Sequence, residues 1–157
     1  MMAPLRSQGL WGDGREPLMK ALAAASAAQL ALGIAGLRKA LRDRTSYDVW
    51  KLKGDPKRIE RDQWVAGTNL SAPGVMLILQ GIATAGLLNR RTRRTAARTI
   101  GILGAIQSAG YPAEKSVRQA WRGKSPDKSM MPMTAAATGL AALMAALGRR
   151  ELRRLPK

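Results

Sequence analysis

The chain has 157 residues, 27 Lys and Arg against 10 Asp and Glu, and a formal net charge of +17. It contains no Cys and no His, which excludes disulfides, thiol nucleophiles, imidazole bases, iron–sulfur clusters and ordinary zinc sites. Aromatics make up 4% of residues and apolar types 46%, so Ala, Leu, Gly and Met carry the apolar load. That composition points to one all-α domain with a modest core.

The charge is unevenly placed. Residues 21–37, 63–89, 99–113 and 129–148 carry none of it. A soluble amphipathic helix brings charge to its wet face every turn or two. Long charge-free blocks between charged ones read instead as a small polytopic membrane bundle. The expectation is four transmembrane helices near 20–40, 70–89, 95–111 and 130–148, with short interfacial helices, in a membrane domain spanning 19–150.

Residues 1–18 precede it as a basic arm with no expected structure. The block 21–37 just reaches the roughly 17-residue lower limit for a span, and its Leu and Ile are set against Gln29 and Ser26. A cleaved signal peptide is the competing reading. The polar stretch before the block and Arg38-Lys39 after it favour a span.

Residues 38–62 are too charged to enter lipid. Within them Asp55-Pro56 pairs a capping side chain with Pro at the first helical position, predicting a short helix towards Trp64. Ser71-Ala72-Pro73 marks a fresh start or a kink in 70–89, which is the strongest span. The block 99–113 is short and gains length from 95–97 if Arg98 snorkels. Pro112 then opens a basic helix with Ala113, Val117, Ala120 and Trp121 on one face, the pattern of a helix in the headgroup plane. A solvated loop helix is the plainer reading. In the last block, Met130, Met131 and Met133 read as apolar filler, because no His or Cys stands beside them to complete a soft-metal site. Residues 151–157 are a basic tail.

Small residues three or four apart permit close helix approach in lipid. Gly33 with Gly36, Gly81 with Ala85, and Gly101 and Gly104 are the packing candidates, although an Ala-rich chain also makes such pairs by chance. Leu at Gly81 or Gly104 is expected to weaken the bundle. Trp50, Trp64 and Trp121, with Arg90, Arg91, Arg93 and Arg94, are the candidate interfacial anchors. With four spans, the side holding both termini has 13 Lys and Arg against 14 on the other. The tight clusters 90–94 and 149–154 lie on the termini's side next to span ends, which places both termini in the cytoplasm of a multi-pass protein of the cell (inner) membrane.

Leu32-Gly33-Ile34-Ala35-Gly36-Leu37-Arg38-Lys39 resembles the opening helix of DoxX-like membrane proteins, where glycines precede a terminal lysine. The stretch from Gly81 to Arg90 is similar to that family's glycine-rich helix ending in a basic turn. The resemblance covers about half of the chain and implies a four-helix bundle. Some members are associated with quinone-linked or oxidant-defence oxidoreductase complexes, and no catalytic residues carry over.

Chemistry is sparse. Gln29, Gln80, Thr84, Gln107 and Ser108 are the polar residues that spans would bury, and each marks a functional pathway or, more commonly, an interhelical hydrogen bond. No catalytic or metal-ligating set and no cofactor is expected. The sequence therefore reads as a non-catalytic structural or accessory subunit of a membrane complex. Its partners are the bilayer, anionic headgroups, and other membrane subunits or a second copy of itself. A basic helical protein binding nucleic acid is one alternative, supported by the charge and by a mean hydropathy of −0.18. A membrane-permeabilising, holin-like protein is the other. Nucleic acid is the weaker partner, since the Arg clusters flank apolar blocks and few aromatics could stack on bases.

Overall fold

The computed structural model describes residues 15–49 and 52–153. Residues 1–14 with Trp11, then Trp50 and Lys51, and residues 154–157 lie outside the described residues. Most of the 1–18 arm and of the 151–157 tail, and the Trp50 anchor, therefore fall outside the description.

Helix α1 runs over Arg15–Arg42, five residues earlier than hydropathy predicts. Glu16 and Pro17 explain the early start: Pro suits the first turn, and an acid there meets the positive end of the helix dipole. Lys39 and Arg42 in the last turn complement the other end. The connection that follows is not wholly helical. Asp48–Val49 (β1) pairs antiparallel with Leu52–Lys53 (β2) in a small ribbon, which the all-α reading did not contain. Beyond it the Asp55-Pro56 start is as expected. The Asp55 carboxylate accepts the Lys57 N–H at 2.9 Å, a 3-10 turn over Pro56–Arg58 follows, and α2 is Ile59–Asp62.

Helix α3 is shorter than its hydropathy block. Gly67, at φ 77, starts a tight turn closed by the Thr68 N–H on the Ser71 carbonyl at 3.0 Å, and Pro73 then begins a new helix. Helix α3 is thus Gly74–Gly86, 13 residues and about 20 Å long, against roughly 30 Å of bilayer hydrocarbon. Residues 87–92 turn the chain into α4, Arg93–Ala113. Pro112 sits in the last turn of α4 instead of opening the next helix, and extended backbone at Glu114 separates α4 from α5, Lys115–Trp121. Val117 and Ala120 of α5 are buried against Ala40, Leu70 and Met130, so its apolar face packs into protein and not into a headgroup layer. The last helix, α6, is Met130–Arg153.

Helix α4 packs against α3 and α6, and α1 packs against the same two, so the four longest helices close a ring. One apolar cluster joins Met19 and Leu22 of α1 to Leu87, Ala96, Ile100 and Leu147. It marks a first pole, where α1 begins, α3 turns into α4 and α6 ends. The second pole gathers the end of α1, the ribbon, α2, α5 and the start of α6. Between the poles the usual order of polarity is reversed. Val75, Ile78, Leu79 and Ile82 of α3, with Ile34, Ile102, Ile106 and Leu143, face outward, while Ser26, Gln29, Gln80 and Gln107 are buried. Among the described residues, α1 and α6 are the two helices long and apolar enough to cross a membrane. Helix α4 opens on Arg93, Arg94 and Arg98, and α3 is short.

Candidate functional site

Three arrangements in the bundle carry structural or chemical consequence: a backbone-close helix pair, a buried polar seam, and a pocket lined by one acid.

The close pair is α4 with α6. A Cβ added to Gly104 would stand 2.6 Å from the Ala141 carbonyl oxygen and 2.7 Å from the Ala145 nitrogen. Beside it Gly101 faces Gly148, where an added Cβ would lie 2.6 Å from the Gly101 Cα. Gly36 abuts the Leu70 carbonyl just as closely, and a Cβ added to Gly33 would stand 2.8 Å from the Leu77 side chain. Gly81 is different. Its open side meets only Leu30, at 3.6 Å, and Ala85 is exposed. The structure therefore leaves room for a methyl group at Gly81. Gly148, absent from the sequence candidates, is as tightly placed as Gly104; its pairing with a glycine 47 positions away in sequence leaves no local signal.

The polar seam joins most of the side chains the sequence singled out. Gln107 donates to Gln80 Oε1 at 2.9 Å, and Gln80 donates to the Ser26 carbonyl at 2.9 Å. Gln29 donates to Gln107 Oε1 at 3.0 Å and reaches the Tyr111 hydroxyl at 3.4 Å. The Ser26 and Thr84 hydroxyls lie 2.7 Å apart. The seam ties α1, α3 and α4 together through side-chain hydrogen bonds, one of them to the Ser26 backbone carbonyl, the commoner of the two roles expected for polar groups in a span. Ser108 stays outside it, donating to the Ala105 carbonyl in its own helix at 3.0 Å. Below the seam, towards the first pole, lies the apolar cluster of Leu22, Ala97, Ile100 and Leu147. The hydrogen-bonded path therefore stops inside the bundle and does not cross it.

At its other end the seam meets a cavity of about 130 Å³ between α4, the start of α3 and the turn at 66–73. Gln107, Tyr111, Thr68 and Asn69 form its polar wall, and Met76, Pro73 and Ile106 its apolar one. Glu114 also lines it. That carboxylate is only 7% exposed and accepts the Asp48 N–H at 3.0 Å, holding the ribbon to the end of α4. Burial raises its pKa to about 7, against the opposing effect of the Asp48 N–H. No residue near Glu114 in the chain marks it out: a Glu one residue past a long apolar helix is carried inward with it.

The charged candidates lie at the poles. Arg90, Arg91 and Arg94 are exposed at the first pole. Arg93 is partly covered, donates to the Leu87 carbonyl at 3.1 Å and stands 3.8 Å from Glu16. Trp64 is 48% exposed and Trp121 37%, both at the second pole. The Trp121 indole donates to Thr134 at 3.0 Å, so it fastens α5 to α6 as well as facing outward. Lys39 bridges Asp43 and Asp127 at 2.7 and 2.8 Å. The Lys39 ammonium, helped by Ser129, holds the Asp127 carboxyl down to about 2. Met130 is buried in the second-pole cluster, while Met131 faces outward.

No known family, curated protein or solved structure matches this chain.

Proposed function

We propose that this protein is a small integral membrane protein, its four longest helices crossing the cell membrane as a bundle, and that it serves as a non-catalytic structural or accessory subunit. The observation that carries the reading is the reversed polarity of the bundle. Isoleucines, leucines and valines face out along the helices, glutamines and hydroxyls pair within, and the charged residues sit at the two poles. In water such a belt of exposed branched aliphatics is an aggregation hazard; in lipid it is the ordinary solvent-facing surface. The start of α1, the end of α6 and the Arg90–Arg94 cluster share one pole, which supports a cytoplasmic first pole whose guanidinium groups meet anionic headgroups. A larger membrane complex, or further copies of this chain, is the partner. The DoxX-like resemblance of the first helix and of Gly81–Arg90 belongs to the same reading.

Fractionation of the tagged protein tests it. Retention in the membrane pellet through alkaline carbonate and high salt is the expected result. Release by high salt alone overturns it and leaves a basic peripheral protein, with nucleic acid as the next partner to try.

A further inference from the structure

Glu114 is an acid out of place. In a chain with 27 Lys and Arg, its carboxylate is buried, and among the described side chains no cation pairs with it. Arg118, whose charge acts on it, turns its guanidinium to the Pro112 and Ala113 carbonyls instead. No Lys or Arg lines the cavity. Asn69, also in the lining and only 7% exposed, has a buried Oδ1 with no hydrogen-bond partner. The cavity thus offers the Glu114 carboxyl within a partly polar lining, beside an apolar wall that continues into the outward-facing Ile106. Anions find no counter-charge there. A divalent cation, which takes six or more oxygen ligands, finds a single carboxylate and a few neutral side chains beside an apolar wall. A guest that satisfies both walls brings N–H donors, a positive charge and an apolar body.

We infer that this cavity binds the primary ammonium of an amphiphilic amine, with the Glu114 carboxylate as counter-ion and the apolar body against Met76 and Ile106. The ammonium is the shared chemistry of a free alkylamine and of an ethanolamine lipid headgroup, and the test separates the two sources. The inference rests on the pocket, not on the membrane assignment, because binding to the protein in neutral detergent reads it whichever fraction holds the protein after carbonate washing.

The probe is decylammonium, titrated calorimetrically into the purified full-length protein, with decanol and decyltrimethylammonium as matched controls. Saturable binding at least tenfold tighter than either control is expected, since one control lacks charge and both lack the ammonium's three donors. Glu114→Gln keeps an acceptor for the Asp48 N–H and removes the charge, so it should weaken decylammonium binding tenfold or more and leave decanol unaffected. Gly110→Leu is the second variant. Gly110 lines the cavity and has open space where its side chain would go, so Leu there should fill the pocket and abolish binding with Glu114 intact. Among the described side chains, the charged groups on the elements around Glu114 are Asp48 of the ribbon and Lys115 and Arg118 of α5. A carboxyl titrating near 7 makes the affinity rise about tenfold per pH unit up to that point and level off above it, and Glu114→Gln should flatten the profile. Competition by phosphatidylethanolamine but not phosphatidylglycerol assigns the ammonium to a lipid headgroup; no competition assigns it to a free amine. Equal binding of decanol and decylammonium, or unchanged binding to either variant, overturns the proposal.

Discussion

The α4–α6 and α1–α3 contacts solve one problem in opposite ways. Between α4 and α6 the backbones touch through Gly101, Gly104 and Gly148. Between α1 and α3, side chains do the joining: Gln80 reaches the Ser26 carbonyl, Ser26 and Thr84 share a hydroxyl contact, and Gly81 leaves ordinary room beside Leu30. Where no water is displaced when helices meet, dispersion at close range and hydrogen bonds are the two attractions left. In lipid, the bundle would rely chiefly on the first between α4 and α6 and chiefly on the second between α1 and α3, where Gly33 also stands close to Leu77. A glycine thus has opposite meanings in the two contacts, though the local sequence reads alike.

Substitutions at the two contacts should separate them. The largest effect is expected from Gly104→Leu, which drives a side chain into the Ala141 and Ala145 backbone; a loss of about 3 kcal/mol or more should appear as a clear drop in the thermal midpoint in detergent. Gly148→Leu should behave alike. On the other contact, Gln80→Leu removes the centre of the seam and strands the Gln107 amide, for a cost of about 1–2 kcal/mol. Adding Gln107→Leu should cost less than the sum of the two single changes, because the second removes a group already left unpaired. If the effects are additive, the seam is not acting as a unit.

Glu114 gives a pH arm of similar size. Its folded pKa of about 7 lies above the 4.5 of the free group, so the fold favours the protonated acid. That contribution is complete below about 4.5 and is lost as pH rises through 7. Thermal scans should therefore show stability falling over this interval, by on the order of 1–2 kcal/mol after solvent screening, and Glu114→Gln should remove the slope. The smallest effect, and of reversed sign, is expected for Gly81→Ala. With only Leu30 at 3.6 Å, the new methyl fits, and the better helix former should stabilise α3 by up to about 1 kcal/mol. A destabilised Gly81→Ala would mean that the two contacts are alike after all.

How much of this was readable in the sequence depends on how local the cause is. The four charge-free blocks each hold the body of one of the four longest helices, because the exclusion of charge is written residue by residue. Asp55-Pro56 begins its short helix as read, since a cap needs only its next two neighbours. Helix α3 loses four residues of its block to the Gly67–Ser71 turn because hydropathy sums apolar character and ignores backbone reversals. The two-residue strands of the ribbon are too short to show an alternating pattern. Gly104 stood out by its spacing, but its distinction from Gly81 comes from α6, some forty residues further on. The same holds for Glu114: its chemistry comes from what folds over it, not from its neighbours in the chain.

The brevity of α3 has a consequence for any bilayer the bundle crosses. Flanked by longer α1 and α4, a helix of about 20 Å leaves roughly 10 Å of hydrocarbon thickness unmatched on one flank. Lipids there must thin, or draw headgroups and water inward towards Asn89 and the arginines that follow it. Such hydrophobic mismatch costs fractions of a kcal/mol per ångström, enough to bias a protein towards thin membranes and to make that flank the side on which a neighbour seals the gap.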